Sequence, residues 1–240
     1  MEKIICCENL RSFAYVNDHI CKKPIRGIVV FFYGLNWNTI ISEDSPVAEK
    51  YAAEGILYVV PYNRPWAWMN RQAVAYTDEI LDVLFEKYAL PANTPVVSSG
   101  MSMGGLGSIL YSRFAKRAPV ACVANCPVCD LVYHYSERPD LPRTLYNAYY
   151  HEEGSLEEVL KRHSPLHMTD SLPRIPYHIF HCRQDQKVDP NLHSEACAEE
   201  MKKRGHSLTL QIVPDRGHCD LSDEAQMQFE DLCIYEIKKT

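Results

Sequence analysis

The chain has 240 residues, of which 46% are hydrophobic and 23% are charged, and its formal net charge at pH 7 is −6. A chain of this length and composition is expected to form one globular domain, and its negative charge argues against a nucleic-acid or anionic-membrane partner. No basic segment followed by an apolar segment opens the chain, and no apolar run reaches transmembrane length. We therefore expect a cytoplasmic protein.

The first 20 residues alternate apolar and polar runs, which predicts a β-hairpin at a sheet edge. From residue 27 onward predicted strands alternate with predicted helices, so the sheet there should be parallel, with helices on both faces. The predicted strands are 27–33, 56–60, 96–99, 120–124, 177–182 and 208–213, and the main predicted helices are 46–54, 72–88, 103–114, 191–204 and 222–237. This pattern predicts one α/β domain over residues 1–240, built on a mostly parallel sheet of about eight strands.

A loosely patterned, tyrosine-rich insertion, about 131–163, follows the sixth predicted strand. Regular apolar periodicity is weak there, whereas acidic residues indicate that one face remains in water. We interpret this segment as a small lid.

The cysteines do not indicate a disulfide scaffold. Ten are present, but a long chain without a secretion signal is expected to keep its thiols reduced. Cys126-Pro127-Val128-Cys129 has the C-x-x-C spacing of redox and zinc sites, yet it has no second C-x-x-C and follows a predicted strand. We therefore expect no metal and no cofactor.

Residues 100–105 read Gly-Met-Ser-Met-Gly-Gly, which contains the pattern G-x-S-x-G. A β-branched run precedes them and an apolar helical pattern follows, and strand, sharp turn and helix are the context of a nucleophile elbow. The turn leaves little space beside the serine, which explains Gly100 and Gly104. The pattern predicts Ser102 as a nucleophile; the alternative is a glycine-rich turn with an incidental serine.

A serine nucleophile needs a base, usually a histidine that is oriented by a carboxylate. Functional groups of a parallel sheet gather where the strands end, and in this architecture the order along the chain is serine, acid, histidine. Asp185 and His218 follow the last two predicted strands in that order. They are the predicted acid and base, with Asp130 and Asp189 as alternative acids. The other histidines are expected to be surface or packing residues; His181, near the end of a predicted strand, is a secondary candidate for the edge of the site.

An oxyanion hole requires two fixed backbone N–H donors. Met103, directly after the predicted nucleophile, should supply one of them. The loop after the first parallel strand should supply the other, and Leu35 is favoured because Gly34 lets the backbone turn inward.

Trp66 and Trp68 follow the strand 56–60 and so should also lie at the carboxyl edge of the sheet. They could form an aromatic wall of the substrate pocket, or they could pack beneath the insertion. The tyrosines of the insertion hint at a polar substrate rather than a long-chain lipid.

Together these residues resemble the α/β-hydrolase superfamily, and the C-terminal half is similar to the catalytic domain of the prolyl-oligopeptidase-like (S9) branch. The resemblance rests on residues 100–105, on the segment from Ser164-Pro165 through Asp185 to Val188, and on Gly217-His218. It implies that Asp185 is the triad acid and that Tyr33 can donate to the oxyanion through its hydroxyl. Cys182 departs from the family pattern, which has glycine after His181.

Peptidases of that branch carry a β-propeller ahead of the hydrolase domain, and none precedes it here, whereas single-domain relatives resemble carboxylesterases. We therefore expect a carboxylesterase that acts on a small-molecule ester with a small or an aryl- or sugar-linked acyl group. A single-domain serine peptidase is the nearest alternative, and a non-catalytic binding protein of the same fold is a third. The sequence predicts no oligomeric state.

Overall fold

A computed structural model describes residues 4–240. Seven strands form one sheet: β1 (Ala14–Val16), β2 (Gly27–Phe32), β3 (Ile56–Pro61), β4 (Val96–Met101), β5 (Ala121–Asn125), β6 (Tyr177–Cys182) and β7 (Leu208–Val213). Their order across the sheet is β1-β3-β2-β4-β5-β6-β7. Only β1 runs antiparallel to its neighbour. The predicted α/β class is confirmed, with seven strands where about eight were expected.

Eight α-helices accompany the sheet within residues 4–240: α1 (Pro46–Ala53), α2 (Arg71–Lys87), α3 (Met103–Phe114), α4 (Leu131–Glu137), α5 (Leu141–Tyr149), α6 (Leu156–Arg162), α7 (Ala196–Lys203) and α8 (Asp223–Lys239). A π-helical turn, Asn191–Glu195, leads into α7. Ser45 and Asn70 cap α1 and α2, because each side chain accepts a hydrogen bond from an amide in the first turn. None of these helices is long and apolar enough to cross a membrane.

Alternate residues of each central strand enter opposite cores. Ile28 and Val30 of β2 pack in the cluster that contains α2 and α3, whereas Val29 packs in the cluster that contains α1 and α8. This two-sided burial is why the central strands read as continuous apolar runs in the sequence.

The predicted N-terminal hairpin is wrong. Residues 1–3 lie outside the described part, and from residue 4 onward the chain forms a 3-10 turn and then the single short strand β1. The Asn9 side chain accepts a hydrogen bond from the Cys6 amide (2.8 Å) and donates one to the Ile4 carbonyl (2.9 Å). These local bonds use backbone groups that a second strand would need. The insertion consequently follows the fifth strand, not the sixth.

The insertion is more regular than the sequence suggested, because α4, α5 and α6 occupy most of it. Asp130 caps α4, and Ser155 and Glu158 form a reciprocal capping box at the start of α6. Leu141, Leu145 and Tyr149 form the buried stripe of α5. Such short helices carry too few turns for their periodicity to stand out in the sequence.

Candidate active site

Ser102 links the end of β4 to the start of α3 in a sterically restricted conformation. Its backbone angles are φ 56° and ψ −122°, outside the regions that non-glycine residues usually adopt. A Cβ on Gly100 would lie 2.2 Å from the Gly104 carbonyl oxygen, and a Cβ on Gly104 would lie 1.9 Å from the Phe32 carbonyl oxygen. Neither position has room for a side chain, so the two glycines make this turn possible.

The structure brings the three predicted triad residues together at the carboxyl ends of β4, β6 and β7. The Oγ atom of Ser102 lies 2.8 Å from Nε2 of His218, and Nδ1 of His218 lies 2.6 Å from Oδ2 of Asp185. With the proton assigned to Nδ1 from these contacts, the imidazole donates to the carboxylate and accepts from the serine hydroxyl. This geometry allows His218 to take the proton of Ser102.

Backbone amides hold the other oxygen of Asp185. Oδ1 accepts hydrogen bonds from the amides of Lys187 (2.8 Å) and Val188 (3.0 Å). Burial alone would raise the pKa of Asp185, but hydrogen bonds from His181, His218 and the Lys187 amide outweigh it and hold the pKa well below the usual range. The carboxylate is therefore charged at neutral pH and can stabilise an imidazolium at His218.

His181, a secondary candidate in the sequence, is fully buried and contacts Asp185. Its Nε2 lies 3.2 Å from Oδ2 of Asp185 and 3.0 Å from the Val188 carbonyl oxygen, while Nδ1 lies 2.5 Å from Oγ of Ser194. A neutral ring with its proton on Nε2 satisfies all three contacts. His181 thus fixes the orientation of Asp185 without facing Ser102.

The alternative acids are engaged elsewhere. Oδ1 of Asp130 accepts hydrogen bonds from two amides in the first turn of α4 and lies 3.2 Å from Nε2 of His167. Oδ1 of Asp189 accepts a hydrogen bond from the Asn191 amide (2.8 Å). Asp185 is the acid that reaches His218.

The two amides predicted to form the oxyanion hole border Ser102. Met103 begins α3, where a helix has unpaired N–H groups. A Cβ on Gly34 would lie 3.4 Å from Cβ of Ser102, so the loop that carries Leu35 approaches the nucleophile closely. Within residues 4–240 neither the Met103 nor the Leu35 amide donates to a protein atom.

Tyr33 has a packed ring and an unpaired hydroxyl. The ring stacks on Trp37 at a centroid distance of 4.2 Å and meets Phe31 edge-on at 5.0 Å. Burial raises the pKa of the phenol, so it remains a donor at neutral pH. Its hydroxyl forms no hydrogen bond within the described chain, and its role as an oxyanion donor stays a prediction.

The two predicted pocket tryptophans have different environments. Trp68 is 1% exposed, and its Nε1 donates to Oγ1 of Thr144 at 3.1 Å. Trp68 therefore packs beneath the insertion, which was the alternative to lining the pocket. Trp66 is partly exposed, its Nε1 donates to Oδ1 of Asn36 at 2.6 Å, and the Arg143 guanidinium lies 4.9 Å from its ring centroid. Of the two, only Trp66 borders open space.

Trp66 lines a groove of about 610 Å³ beside the loop that carries Leu35. Six side-chain amides share its wall: Asn36, Asn38, Asn63, Asn70, Gln72 and Asn147. A second, much smaller cavity of about 30 Å³ touches Tyr33, Met103 and Gly104. The two spaces share Asn63, Arg64 and Ala67 as lining residues, so they are neighbours.

The two cysteines of the C-x-x-C sequence lie in different environments. Cys126 accepts hydrogen bonds at Sγ from the amides of Cys182 and Cys219, both at 3.4 Å. The thiol of Cys129 instead donates to the Pro127 carbonyl oxygen, and its side chain packs in the core cluster that contains Cys197. The motif spacing therefore does not make a two-thiol site.

The parallel sheet, the strained elbow and the linked serine, histidine and aspartate define an α/β-hydrolase. The sequence profile of the Prolyl oligopeptidase family matches residues 78–234, and the chain belongs to that family.

Solved structures with the same fold include both peptidases and an S-formylglutathione hydrolase. A puromycin-hydrolyzing peptidase from Mycobacterium tuberculosis matches with a TM-score of 0.74 and 15% identity over 91% of this chain and 35% of that chain. An acylaminoacyl peptidase from Pyrococcus horikoshii has a TM-score of 0.69 and 14% identity over 91% of this chain and 38% of its own. An S-formylglutathione hydrolase from Agrobacterium tumefaciens has a TM-score of 0.68 and 15% identity over 88% and 83% of the two chains.

These identities show a common fold. This chain spans little more than a third of the two peptidases it matches, but most of the S-formylglutathione hydrolase. No curated protein sequence matches the chain.

Proposed function

We propose that this protein is a carboxylesterase that uses Ser102 as nucleophile, His218 as general base and Asp185 as the acid that orients the base. The observation that carries the proposal is the continuous contact from Oγ of Ser102 through His218 to Asp185, at 2.8 and 2.6 Å. Contacts of this length allow proton transfer from the hydroxyl as it attacks an ester carbonyl.

In the proposed reaction the tetrahedral intermediate places its oxyanion between the amides of Met103 and Leu35. Those donors are already fixed by α3 and by the loop after β2, so they stabilise the developing charge without reorganisation. His218 then gives its proton to the leaving alcohol. Water, activated by the same imidazole, releases the acyl group and regenerates Ser102.

The shape of the site favours a small acyl group on a larger polar alcohol. The cavity beside Met103 holds roughly two water-sized groups, which suits a short acyl chain. The neighbouring groove is within the usual size range for small-molecule sites, and its amides and Trp66 suit a hydroxyl-rich or aryl leaving group.

A serine peptidase is the second candidate, and the family match favours it. The same residues would cleave an amide, but an amine leaves only after His218 has protonated it, so amide cleavage demands more of the proton transfer. The groove beside Trp66 would then receive part of a peptide.

The first test is labelling with a fluorophosphonate probe, which reacts with activated serines. We expect the native protein to be labelled and Ser102→Ala to be unlabelled, with Ser171→Ala, a change at an exposed serine, as the matched control. An unlabelled native protein would contradict the enzyme proposal. Equal labelling of Ser102→Ala would contradict the assignment of the nucleophile.

The second test compares the hydrolysis of matched acetyl esters, acetyl amides and one dipeptidyl amide. The rate for each substrate is divided by the rate of its uncatalysed hydrolysis. We expect the largest enhancement for the esters and a drop with increasing acyl length. Trp66→Ala should raise KM for acetylated sugars and leave the hydrolysis rate of the acetyl ester of a small alcohol nearly unchanged. A larger enhancement for the dipeptidyl amide would favour the peptidase.

A further inference from the structure

We propose that Cys126, His218 and Cys219 form an inhibitory site for a thiophilic metal ion of the zinc class. One ligand atom from each residue, Sγ, a ring nitrogen and Sγ, lies within 4.8 Å of the other two. Two thiolates and one neutral imidazole are a donor set that zinc and cadmium prefer over harder cations. The site shares His218 with the proposed triad.

Backbone geometry places the two thiols beside the imidazole. Cys126 follows β5 with φ 44°, and Cys219 follows the histidine with φ 59°. These turns bring Sγ of Cys219 to 3.6 Å from Nε2 of His218. Tetrahedral zinc with Zn–S of about 2.3 Å and Zn–N of about 2.0 Å requires an S···N separation of roughly 3.5 Å. The observed separation meets this requirement.

Two backbone N–H groups point at the sulfur of Cys126. Its Sγ accepts hydrogen bonds from the amides of Cys182 and Cys219, each at 3.4 Å. A hydrogen bond with Cys182 lowers the pKa of Cys126, but the hydrogen bond with Cys219 and burial outweigh it and raise the pKa, so the metal-free thiol is protonated. The two N–H donors can stabilise the thiolate once a metal ion has displaced that proton. Cys126 itself is fully buried, whereas Cys219 and His218 are partly exposed, so an ion reaches the site past these two side chains.

Binding is an exchange of protons for metal. The two thiols lose their protons as two metal–sulfur bonds form, and Nε2 of His218 donates its lone pair to the ion, so one Zn²⁺ is bound and two protons are released. That lone pair is also the acceptor for the Ser102 proton. Metal binding and base catalysis are therefore mutually exclusive.

A second cluster, Glu137 with His134 and His193, also brings three possible ligands together. Its hydrogen bonds are complete without an ion: Nδ1 of His193 accepts from the Cys129 and Asp130 amides, which leaves Nε2 as a donor to Glu137. It contains no thiol. A thiophilic metal should prefer the site at Cys126 and Cys219.

The binding step stands independently of the proposed esterase activity, whereas the inhibition rests on it. The experiment therefore measures both. Cadmium is titrated into the protein, and the ultraviolet absorption of the thiolate-to-cadmium charge transfer monitors binding. Ester hydrolysis is measured in the same solutions, which contain a phosphine reductant to prevent thiol oxidation. Zinc calorimetry in two buffers reports the proton release. We expect one ion per chain, two protons released, and inhibition with the same half-saturation as the band, reversed by a chelator.

Cys219→Gly accepts the positive φ at that position, and Cys219→Ser and Cys126→Ser conserve size. Each should weaken cadmium binding by more than about tenfold, and activity should persist at metal concentrations that inhibit the native protein. Cys7→Ala, at an exposed thiol, is the control and should match the native protein. An absent band, or half-saturation unchanged in both Cys219 variants, would overturn the proposal. A normal band in a protein without hydrolytic activity would support the site and contradict the proposed function.

Discussion

In residues 4–240, two clusters bring one carboxylate into contact with two histidines. They are the strand-end cluster of Asp185, His181 and His218, and the insertion cluster of Glu137, His134 and His193. In both, hydrogen bonds from the imidazoles lower the pKa of the carboxyl, in Glu137 to about 2, against burial that would raise it. The internal chemistry of the two clusters is therefore nearly the same.

The two clusters differ in what surrounds the side of each histidine that does not contact the carboxylate. His218 retains some solvent exposure, and its second nitrogen reaches Oγ of Ser102. In the insertion cluster His193 is fully buried, and its second nitrogen accepts hydrogen bonds from backbone amides. His134 packs edge-on against Trp68. A histidine paired with a carboxylate becomes a base only where its other nitrogen faces a nucleophile. The insertion cluster instead stabilises the fold.

The largest expected effect separates the two carboxylates directly. Asp185→Asn should lower kcat by roughly 10⁴-fold, because the amide cannot stabilise the imidazolium and favours the wrong tautomer of His218. Glu137→Gln should change kcat by less than about twofold. Hydrolysis of a short acyl ester, normalised to folded protein by circular dichroism, measures both. Comparable losses of kcat in the two variants would contradict the assignment of a catalytic role to Asp185 and a structural role to Glu137.

A smaller effect is expected at His181, which positions the acid. His181→Ala should lower kcat/KM by roughly 10- to 100-fold, and His181→Gln, which retains a donor, should recover part of the loss. Steady-state hydrolysis of a short acyl ester by the two variants measures this effect. An equal loss of kcat/KM in both, with no rescue by glutamine, would indicate only a packing role.

Glu137→Gln should destabilise the fold rather than impair catalysis. Removing the charged acceptor of two buried imidazoles should lower the free energy of unfolding by about 1–3 kcal/mol. Urea denaturation at pH 7 measures this change, and Glu157→Gln on the exposed face of α6 is the matched control. A stability equal to that of the native protein would remove the structural role assigned to the insertion cluster.

The smallest expected effect is the acid dependence of that contribution. The folded-state pKa of Glu137 is about 2, below its ordinary value of 4.5. Its stabilisation is therefore complete above about pH 4.5 and is lost progressively as the pH falls toward 2. Between these values the native protein should lose more stability than Glu137→Gln, by about 1–2 kcal/mol after allowance for solvent screening. Parallel curves for the two proteins would contradict this assignment.

The strand pattern and the positions of Ser102, Asp185 and His218 were accessible from the sequence because each follows from a local rule. A buried parallel strand is a continuous apolar run, and a residue just beyond such a run lies at the carboxyl edge of the sheet. Chain order and position after the last two predicted strands favoured Asp185 and His218, with Asp130 and Asp189 left open as alternative acids. The structure places all three in contact.

Other features depended on contacts between distant segments. Cys182 ends β6, whereas Cys126 and Cys219 lie beyond the ends of β5 and β7, and the register of these three strands brings the cysteines together. The inward orientation of His181 depends on Ser194 in the turn before α7. The sequence around Trp66 and Trp68 gives no reason to expect different environments for them. In the structure, Trp68 is buried beneath α5 and Trp66 is not. No local pattern encodes these differences.

The position of β7 also determines when the chain can become active during synthesis. Ser102 and His218 are 116 residues apart, and the histidine follows β7, which lies beside β6 at the edge of the described sheet. As the chain emerges from the ribosome, the elbow and its neighbouring strands can form while the base has not yet been made. Fraying of the same edge in the finished protein would withdraw His218 and leave the elbow intact. Activity is therefore expected to report on the integrity of the last strand and to be lost before most of the sheet unfolds.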